Sequence, residues 1–291
     1  MNQNRWLEKN GVSLAGKTIA VTGATGGLGS ALCRNILALG GRLILLNRSK
    51  NKTEALAASL REAFPDASIT FLQTDLTDMG SVKTACEALL QMPLDALVLN
   101  AGAYAIPRST CDTGCDNVFQ TNFVSHYYMV HALLPLLEQR SGTVVAVGSI
   151  AHTYSKTDPE DMDFSRRRGS SLVYGNSKRY LMFALSELMK QHPGVRFSIA
   201  HPGISFTNIT AHYPKYLFAI IKYPMKVIFM KPAVAVRSLV LGLCHPAGCD
   251  RWIGPKLFNI WGNPSVKRLT TCPPEERQRI FETAEALFQK L

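Results

Sequence analysis

The stretch "TIAVTGATGGLG", Thr18 to Gly29, joins a short apolar run directly to a cluster of glycines. A run of that length with no polar alternation reads as a strand buried on both faces. After it, "TGATGGLG", Thr22 to Gly29, leads into a helical pattern over 27–39. Glycines let the chain turn tightly and come close to a phosphate, and a helix start presents free N–H groups and the positive end of its dipole. On its own the cluster is compatible with a plain tight turn. Set between a strand and a helix, with a second apolar run "RLILLN" at 42–47, it reads as a phosphate cradle.

The same alternation continues outward from that unit. Strand-like runs follow as "SITFLQ" at 68–73, "LDALVLN" at 94–100, "GTVVAVGS" at 142–149 and "VRFSIAHPG" at 195–203. Helical candidates lie between them at 51–63, 79–91, 112–139 and 172–191, with a last one at 274–290. Apolar strands separated by helices predict an α/β fold, a doubly wound parallel sheet covered on both faces. Ligands of such sheets sit at the carboxyl ends of the strands, so the residues there carry the functional reading.

Composition narrows the class. The 291 residues are 46% apolar, enough for a large core, and show neither repeats nor a disordered tract. The seven cysteines, Cys111/Cys115 and Cys244/Cys249 included, match no common zinc or disulfide spacing, which suits reduced thiols in the cytoplasm and no metal site. The opening "MNQNRWLEKNGVSLAGK" has no apolar segment to act as a signal peptide, and no run approaches the roughly 18 apolar residues of a spanning helix. The expectation is a protein neither secreted nor integral to a membrane. The net charge of +11 is lopsided: Lys/Arg number 12 against 11 Asp/Glu up to residue 150, and 20 against 10 afterwards. A basic half suits nucleic acid, an anionic membrane surface or a phosphorylated ligand. With no zinc-finger, basic-zipper or RNA-binding signature beside it, nucleic acid is not expected as a partner.

Two strand-end features point to chemistry. The second strand ends at Asn47 and is followed by Arg48, where an acid would accept from a ribose 2'-hydroxyl. Arginine instead offers a planar fork of donors to a 2'-phosphate, which favours NADPH over NADH; a solvated surface arginine is the competing reading. Further on, "VYGNSK" puts Tyr174 and Lys178 four residues apart, on one face of a helix. Of nine tyrosines only Tyr174 has a lysine at that spacing. A free tyrosine titrates near pH 10, and a nearby ammonium lowers that by favouring the phenolate.

On these residues the chain resembles the short-chain dehydrogenase/reductase family over nearly its whole length. The glycine pattern is Thr22, Gly23, Gly27 and Gly29, with Thr25 and Leu28 inside it. An acid after the third strand is matched by Asp75, beside Leu76. The NNAG element appears as "LNAG", where Leu99 departs and Asn100, Ala101 and Gly102 are kept. A helix asparagine is matched by Asn122, a serine after the fifth strand by Ser149, the YxxxK pair by Tyr174 and Lys178, and a PG-x-x-x-T element by Pro202, Gly203 and Thr207. The resemblance implies a single Rossmann-fold domain over 1–291, with a cofactor half of about 15–150, a catalytic and substrate half of about 150–291, and a substrate lid near 204–232. It implies NADPH/NADP+ bound by Thr22, Gly23, Thr25, Gly27, Leu28, Gly29, Asn47, Arg48, Asp75, Leu76, Asn100, Ala101, Gly102, Tyr174, Lys178, Pro202, Gly203 and Thr207. Catalysis falls to Asn122, Ser149, Tyr174 and Lys178: Tyr174 exchanges a proton with the substrate oxygen, Ser149 holds that oxygen, Lys178 also binds the nicotinamide ribose, and Asn122 holds a water leading to Lys178. A homodimer or homotetramer is the family's usual assembly.

The 24 residues between Ser149 and Tyr174 are more than compact members need, and with "SIAH" at 198–201 they resemble the retinol dehydrogenase branch. That implies a bulky lipophilic carbonyl or alcohol as substrate. The extra loop is either a substrate wall or a solvated excursion. His152 and His201 read as structural, since Tyr174 already supplies the proton. Arg166, Arg167 and Arg168 read as a solvated face, or as a contact for an anionic substrate group. Finally, Lys215, Lys222 and Lys226 of "PKYLFAIIKYPMKVIFMK", 214–231, fall within about 40° on a helical wheel. The segment reads as a substrate lid, or as a weak peripheral membrane contact with Pro224 interrupting the helix. An NADPH-sensing protein without turnover is the rival functional class.

Overall fold

The computed structural model of the chain describes residues 2–203 and 230–291. Its centre is one sheet of eight strands: β1 Thr18–Thr22, β2 Arg42–Asn47, β3 Ile69–Gln73, β4 Ala96–Leu99, β5 Thr143–Val147, β6 Arg196–Ala200, β7 Arg251–Leu257 and β8 Trp261–Arg268. The order across the sheet is β3-β2-β1-β4-β5-β6-β7-β8, parallel throughout except for the antiparallel last pair. Between β1 and β4 the winding reverses, which opens a crevice at the carboxyl ends of those strands.

The apolar strands feed two cores alternately. Ala20, Ile44, Leu46, Leu97, Leu99, Val144 and Ala146 belong to one, while Ile19, Val21, Leu43, Leu45, Val98 and Val145 belong to the other. Period-two alternation of side chains makes that division, so an unbroken apolar run signals a strand covered twice. Residues of the helices Met79–Leu90, Ser125–Gln139, Ser170–Gln191 and Pro274–Phe288 pack into the first core. The helices Gln3–Asn10, Gly27–Ala38, Lys50–Ala63 and Arg237–Cys244 pack into the second.

The six expected strands and most expected helices are present within a few residues. Three differences have physical causes. β7 and β8 were not expected, because "RWIGPKL" and "WGNPSVKR" carry glycine and proline; β8 is the edge strand, and Gly254 and Pro255 of β7 lie beyond the residues paired with β6, so both are tolerated. The helix expected from 112 begins at Asn117, where Asp116 caps the amides of Val118 and Phe119, and residues 110–116 turn back on themselves through a Thr110–Asp116 bridge. The short helices Gln3–Asn10, Pro232–Ala235 and Arg237–Cys244 were also missed. Thr207, the lysines at 215, 222 and 226, and the expected lid up to residue 229 lie outside the described residues.

Candidate active site

The glycine loop is folded as its composition requires. Gly23 has φ +64°, and a Cβ there would stand 2.8 Å from the Ala101 Cα, so the loop rests directly on the "LNAG" turn. Thr22 ties the two together. Its Oγ1 accepts from the Asn100 and Ala101 amides at 2.9 and 3.0 Å, while Asn100 Nδ2 donates to the carbonyls of Thr22 and Gly23 at 2.8 and 3.1 Å. The helix Gly27–Ala38 starts at Gly26 with no side-chain cap, which leaves its first amides facing the crevice. Thr25 is half-buried in this loop, and Leu28 is buried at the helix start.

At the end of β2 the Asn47 side chain is buried, with neither its amide donor nor its acceptor paired. An orphan of that kind costs free energy unless a bound group meets it. Ser49 caps the next helix by accepting from the Lys52 amide, so Arg48 stands alone between strand and helix. Its side chain is 74% exposed and lies 3.9 Å from Asp75 Oδ2. Asp75 is steadied at its other oxygen by the Thr77 amide at 3.0 Å and hydroxyl at 2.7 Å, and Leu76 beside it is buried. These groups fit a dinucleotide: a close-packed glycine turn, free helix amides, an unpaired amide, and a guanidinium beside a carboxylate.

Across the crevice, β5 delivers Ser149 and the helix Ser170–Gln191 delivers Tyr174 and Lys178. Gly175 makes this juxtaposition possible. A Cβ at that position would meet the Ala151 carbonyl oxygen at 2.4 Å, so glycine inside this helix lets it press against the turn that follows Ser149. Ser149 Oγ accepts from the Ala151 amide at 3.2 Å and lies close enough to the Tyr174 phenol to act on its titration. Tyr104 lies edge-on to Tyr174 with ring centroids 5.2 Å apart. Burial pushes the Tyr174 phenol up to about 12, against the nearby Ser149 hydroxyl, which lowers it. The expectation that Lys178 would lower the tyrosine is therefore not met in this structure. The Lys178 Nζ lies 5.9 Å from the ring centroid and donates to the Val147 carbonyl at 2.9 Å, and burial depresses it to about 8.

Asn122 sits in a π-helical turn, Gln120–Val124, where the Ser125 amide bonds five residues back to Gln120. Such turns inside α-helices recur at functional sites. Its amide is fully used: Oδ1 accepts from the Ala103 amide at 2.7 Å, and Nδ2 donates to the Ala103 carbonyl at 3.0 Å and to Ser177 Oγ at 2.8 Å. Asn122 thus fixes the segment following Gly102 against the helix of Tyr174 and Lys178.

A match to the short chain dehydrogenase family model covers residues 17–215. The chain belongs to that family. Retinol dehydrogenase 14 of Mus musculus is 32% identical over 212 residues, covering 68% of this chain and 64% of that protein. Polyprenol dehydrogenase of Mus musculus is 26% identical over 242 residues, covering 79% and 72%. The crystal structure of an uncharacterized protein from Mycobacterium Paratuberculosis superposes with a TM-score of 0.76 at 26% identity, covering 97% of this chain and 96% of that one. The matched region thus spans somewhat less than two thirds of the retinol dehydrogenase, and these relatives agree with the branch suggested by the sequence.

As in other short chain dehydrogenases, an oxidoreductase family that uses nicotinamide cofactors, the residues expected at strand ends gather along one edge of the sheet. Pro202 and Gly203 follow β6 there as well. Both histidines singled out in the sequence are structural. His152 donates from Nδ1 to the Ser149 carbonyl at 2.5 Å and accepts at Nε2 from Thr271 at 2.5 Å, while His201 donates to the Asn259 carbonyl at 2.9 Å and stacks on Trp252. Arg167 pairs with Asp158 and Asp161, so the arginine cluster is in part a brace of the long loop.

His126 was not anticipated. Thr22 Oγ1 spends both lone pairs on backbone amides, so its proton goes to His126 Nε2 at 3.0 Å, and His126 Nδ1 donates to the Asn122 carbonyl at 3.3 Å. Burial, reinforced by the charge of Lys178, pushes this imidazole down to about 3 and keeps it neutral. It links the cofactor-side turn to the turn carrying Asn122.

Proposed function

We propose that the protein is an NADPH-dependent oxidoreductase that interconverts a carbonyl and an alcohol on a bulky lipophilic substrate. The observation that carries this reading is the gathering of Ser149, Tyr174 and buried Lys178, its Nζ 5.9 Å from the Tyr174 ring, at the crevice where a nucleotide fits. When bound, the nicotinamide supplies or accepts the hydride. Tyr174 Oη gives its proton to the substrate oxygen in reduction and takes one from the hydroxyl in oxidation. Ser149 Oγ holds that oxygen within reach of Tyr174. Lys178 stabilises the phenolate left after proton transfer and would hold the nicotinamide ribose. Asn122 keeps Ala103 and Ser177 in place around it.

Two features support a large apolar substrate. The loop between Ser149 and Tyr174 is partly packed: Phe164 is buried against Val118 and Val173, and Asp161, Asp163 and His152 are buried, while residues 165–172 are exposed. It borders an open surface depression whose lining mixes Tyr154, Phe164 and Leu172 with Lys156, Asp158 and Arg167. The names of the retinol and polyprenol dehydrogenases point to lipid alcohols for those proteins. A homodimer or homotetramer in the cytoplasm completes the proposal. Cofactor oxidation on a panel of retinoid, steroid and long-chain ketones and aldehydes tests it. Turnover on a member of the panel is expected; silence across it, together with tight NADPH binding, would favour a nucleotide sensor instead.

Arg48 makes the cofactor choice testable separately. In Arg48→Asp a carboxylate repels a 2'-phosphate and accepts from a 2'-hydroxyl, so the NADPH-to-NADH preference is expected to fall by about 10- to 100-fold. The ratio of kcat/KM values for the two cofactors measures it, and an unchanged ratio would locate 2'-phosphate recognition elsewhere.

A further inference from the structure

Two features of the last two strands have no part in the chemistry above. The first is an exposed apolar tip. β7 and β8 form a hairpin whose turn holds Phe258 and Asn259 at φ +52° and +59°. Phe258 is 83% exposed and Leu257 is 55% exposed, with the exposed Lys256 before them. The tip is braced. Lys267 Nζ donates to the Pro255 carbonyl at 2.7 Å and to Asn259 Oδ1 at 2.5 Å, and His201 donates to the Asn259 carbonyl. A rigid turn that holds a large aromatic ring in water gains nothing for the fold, because exposed apolar surface is unfavourable and a polar residue suits such a turn better.

The second feature is charge. Residues 196–274 contain ten Lys/Arg and a single acid, Asp250, and within the hairpin Lys256 stands at the tip and Lys267 Nζ reaches it, whereas Arg251 and Arg268 pair at the opposite end. An exposed apolar pair with two lysines beside it and no carboxylate in the hairpin is complementary to an anionic lipid surface, where the apolar side chains enter the interface and the cations meet headgroups. Bases also stack on a phenyl ring beside cations, but the aliphatic Leu257 next to it fits acyl chains, and release by DNA or RNA is an outcome of the test below.

Position gives the contact a purpose. β7 runs parallel to β6, so its turn lies on the same edge of the sheet as Ser149 and the glycine loop. The hairpin abuts the strand end at Gly203, where a Cβ would stand 2.6 Å from the Ile260 carbonyl oxygen and 2.8 Å from Pro255 Cγ.

We propose that the β7–β8 hairpin tip, Lys256 to Phe258, is a docking element for an anionic membrane surface. It turns the edge of the sheet that carries Ser149 and Tyr174 toward the bilayer. The binding itself does not depend on the substrate reading given above, and its test needs no turnover.

Flotation of the full chain with vesicles of phosphatidylcholine alone, and of phosphatidylcholine mixed with phosphatidylglycerol, reads the interaction. Binding is expected only with the anionic lipid and is expected to weaken as salt rises. Phe258→Ser and Leu257→Ser are each expected to weaken it by about tenfold, with the melting temperature unchanged because both side chains are already in water. Tryptophan emission supplies a second readout. Trp6 and Trp252 are 2% and 5% exposed, whereas Trp261, at 37%, stands at the start of β8 and is expected to shift to the blue on the vesicles. Any of four results would overturn the proposal: no binding to anionic vesicles at low salt, equal binding to neutral ones, full binding by the Leu257→Ser/Phe258→Ser double variant, or release from vesicles by duplex DNA or RNA. Self-association abolished by the same double variant would assign the tip to a second copy of the chain and overturn it as well.

Discussion

Tyr174→Phe is expected to lower kcat/KM for carbonyl reduction by about 10²- to 10⁴-fold, while NADPH affinity changes by less than about threefold. The variant removes one oxygen and leaves the ring against Tyr104, so the packing of the site is retained. What it loses is the proton donor. Because burial holds the phenol up at about 12, Tyr174 is protonated across the working range and stands ready for reduction. Lys178 sets the upper limit: depressed to about 8, it is charged at neutral pH and loses its proton above that value. Reduction is therefore expected to be flat near neutrality and to fall above about pH 8, whereas oxidation, which needs the phenolate, should rise with pH from neutrality. Turnover by Tyr174→Phe within a few-fold of the parent would remove Tyr174 from the chemistry, and a reduction rate still rising at pH 9 would contradict the role given to Lys178.

The sheet and its functional edge were legible because each rests on local pattern. An apolar run such as "RLILLN" has one stable use in a wound sheet, and the glycines of 22–29 and the Tyr174/Lys178 pair lie within a turn or two of one another. What escaped reading depends on contacts between residues far apart. Thr22 was expected to serve the cofactor, yet its hydroxyl serves the 100–101 backbone and His126, 104 residues away. Gly175 looks like a weakness in a helix until the Ala151 carbonyl is placed 2.4 Å from where its Cβ would be. The expected fall in the Tyr174 pKa failed for a related reason: spacing predicts proximity to Lys178, but burial is set by the whole fold, and here it outweighs the neighbouring charge.

Another contact between residues far apart in the chain carries the largest expected effect on stability. Arg179, next to Lys178 on the same helix, donates from Nη2 to Glu276 Oε2 at 2.6 Å and from Nε to Oε1 at 2.9 Å, a bidentate pair with both side chains nearly buried. The same guanidinium donates to the carbonyls of His152 at 3.2 Å and Thr271 at 3.3 Å, and Glu276 accepts from the amide and hydroxyl of Thr157. One ion pair therefore clamps the helix of Tyr174, the loop after Ser149 and the last helix together. Arg179→Ala strands a buried carboxylate and is expected to cost about 3–5 kcal/mol, lowering Tm by roughly 5–15 °C. The doubly apolar Arg179→Met/Glu276→Leu should recover most of that, since replacing both partners removes the unpaired charge. The pair also sets the acid limb of stability. Burial opposes ionisation of Glu276, but Arg179 and Thr157 outweigh it and hold the carboxyl down at about 2, below its ordinary 4.5. A carboxylate depressed on folding contributes stability that is complete above the unfolded value and is lost as pH falls through the folded one. The contribution, about 3 kcal/mol, should thus disappear between roughly pH 4.5 and 2, and Glu276→Gln should flatten that limb. Urea unfolding midpoints measured across that range decide it: the same acid slope in the parent and in Glu276→Gln would mean that other carboxylates carry the acid transition.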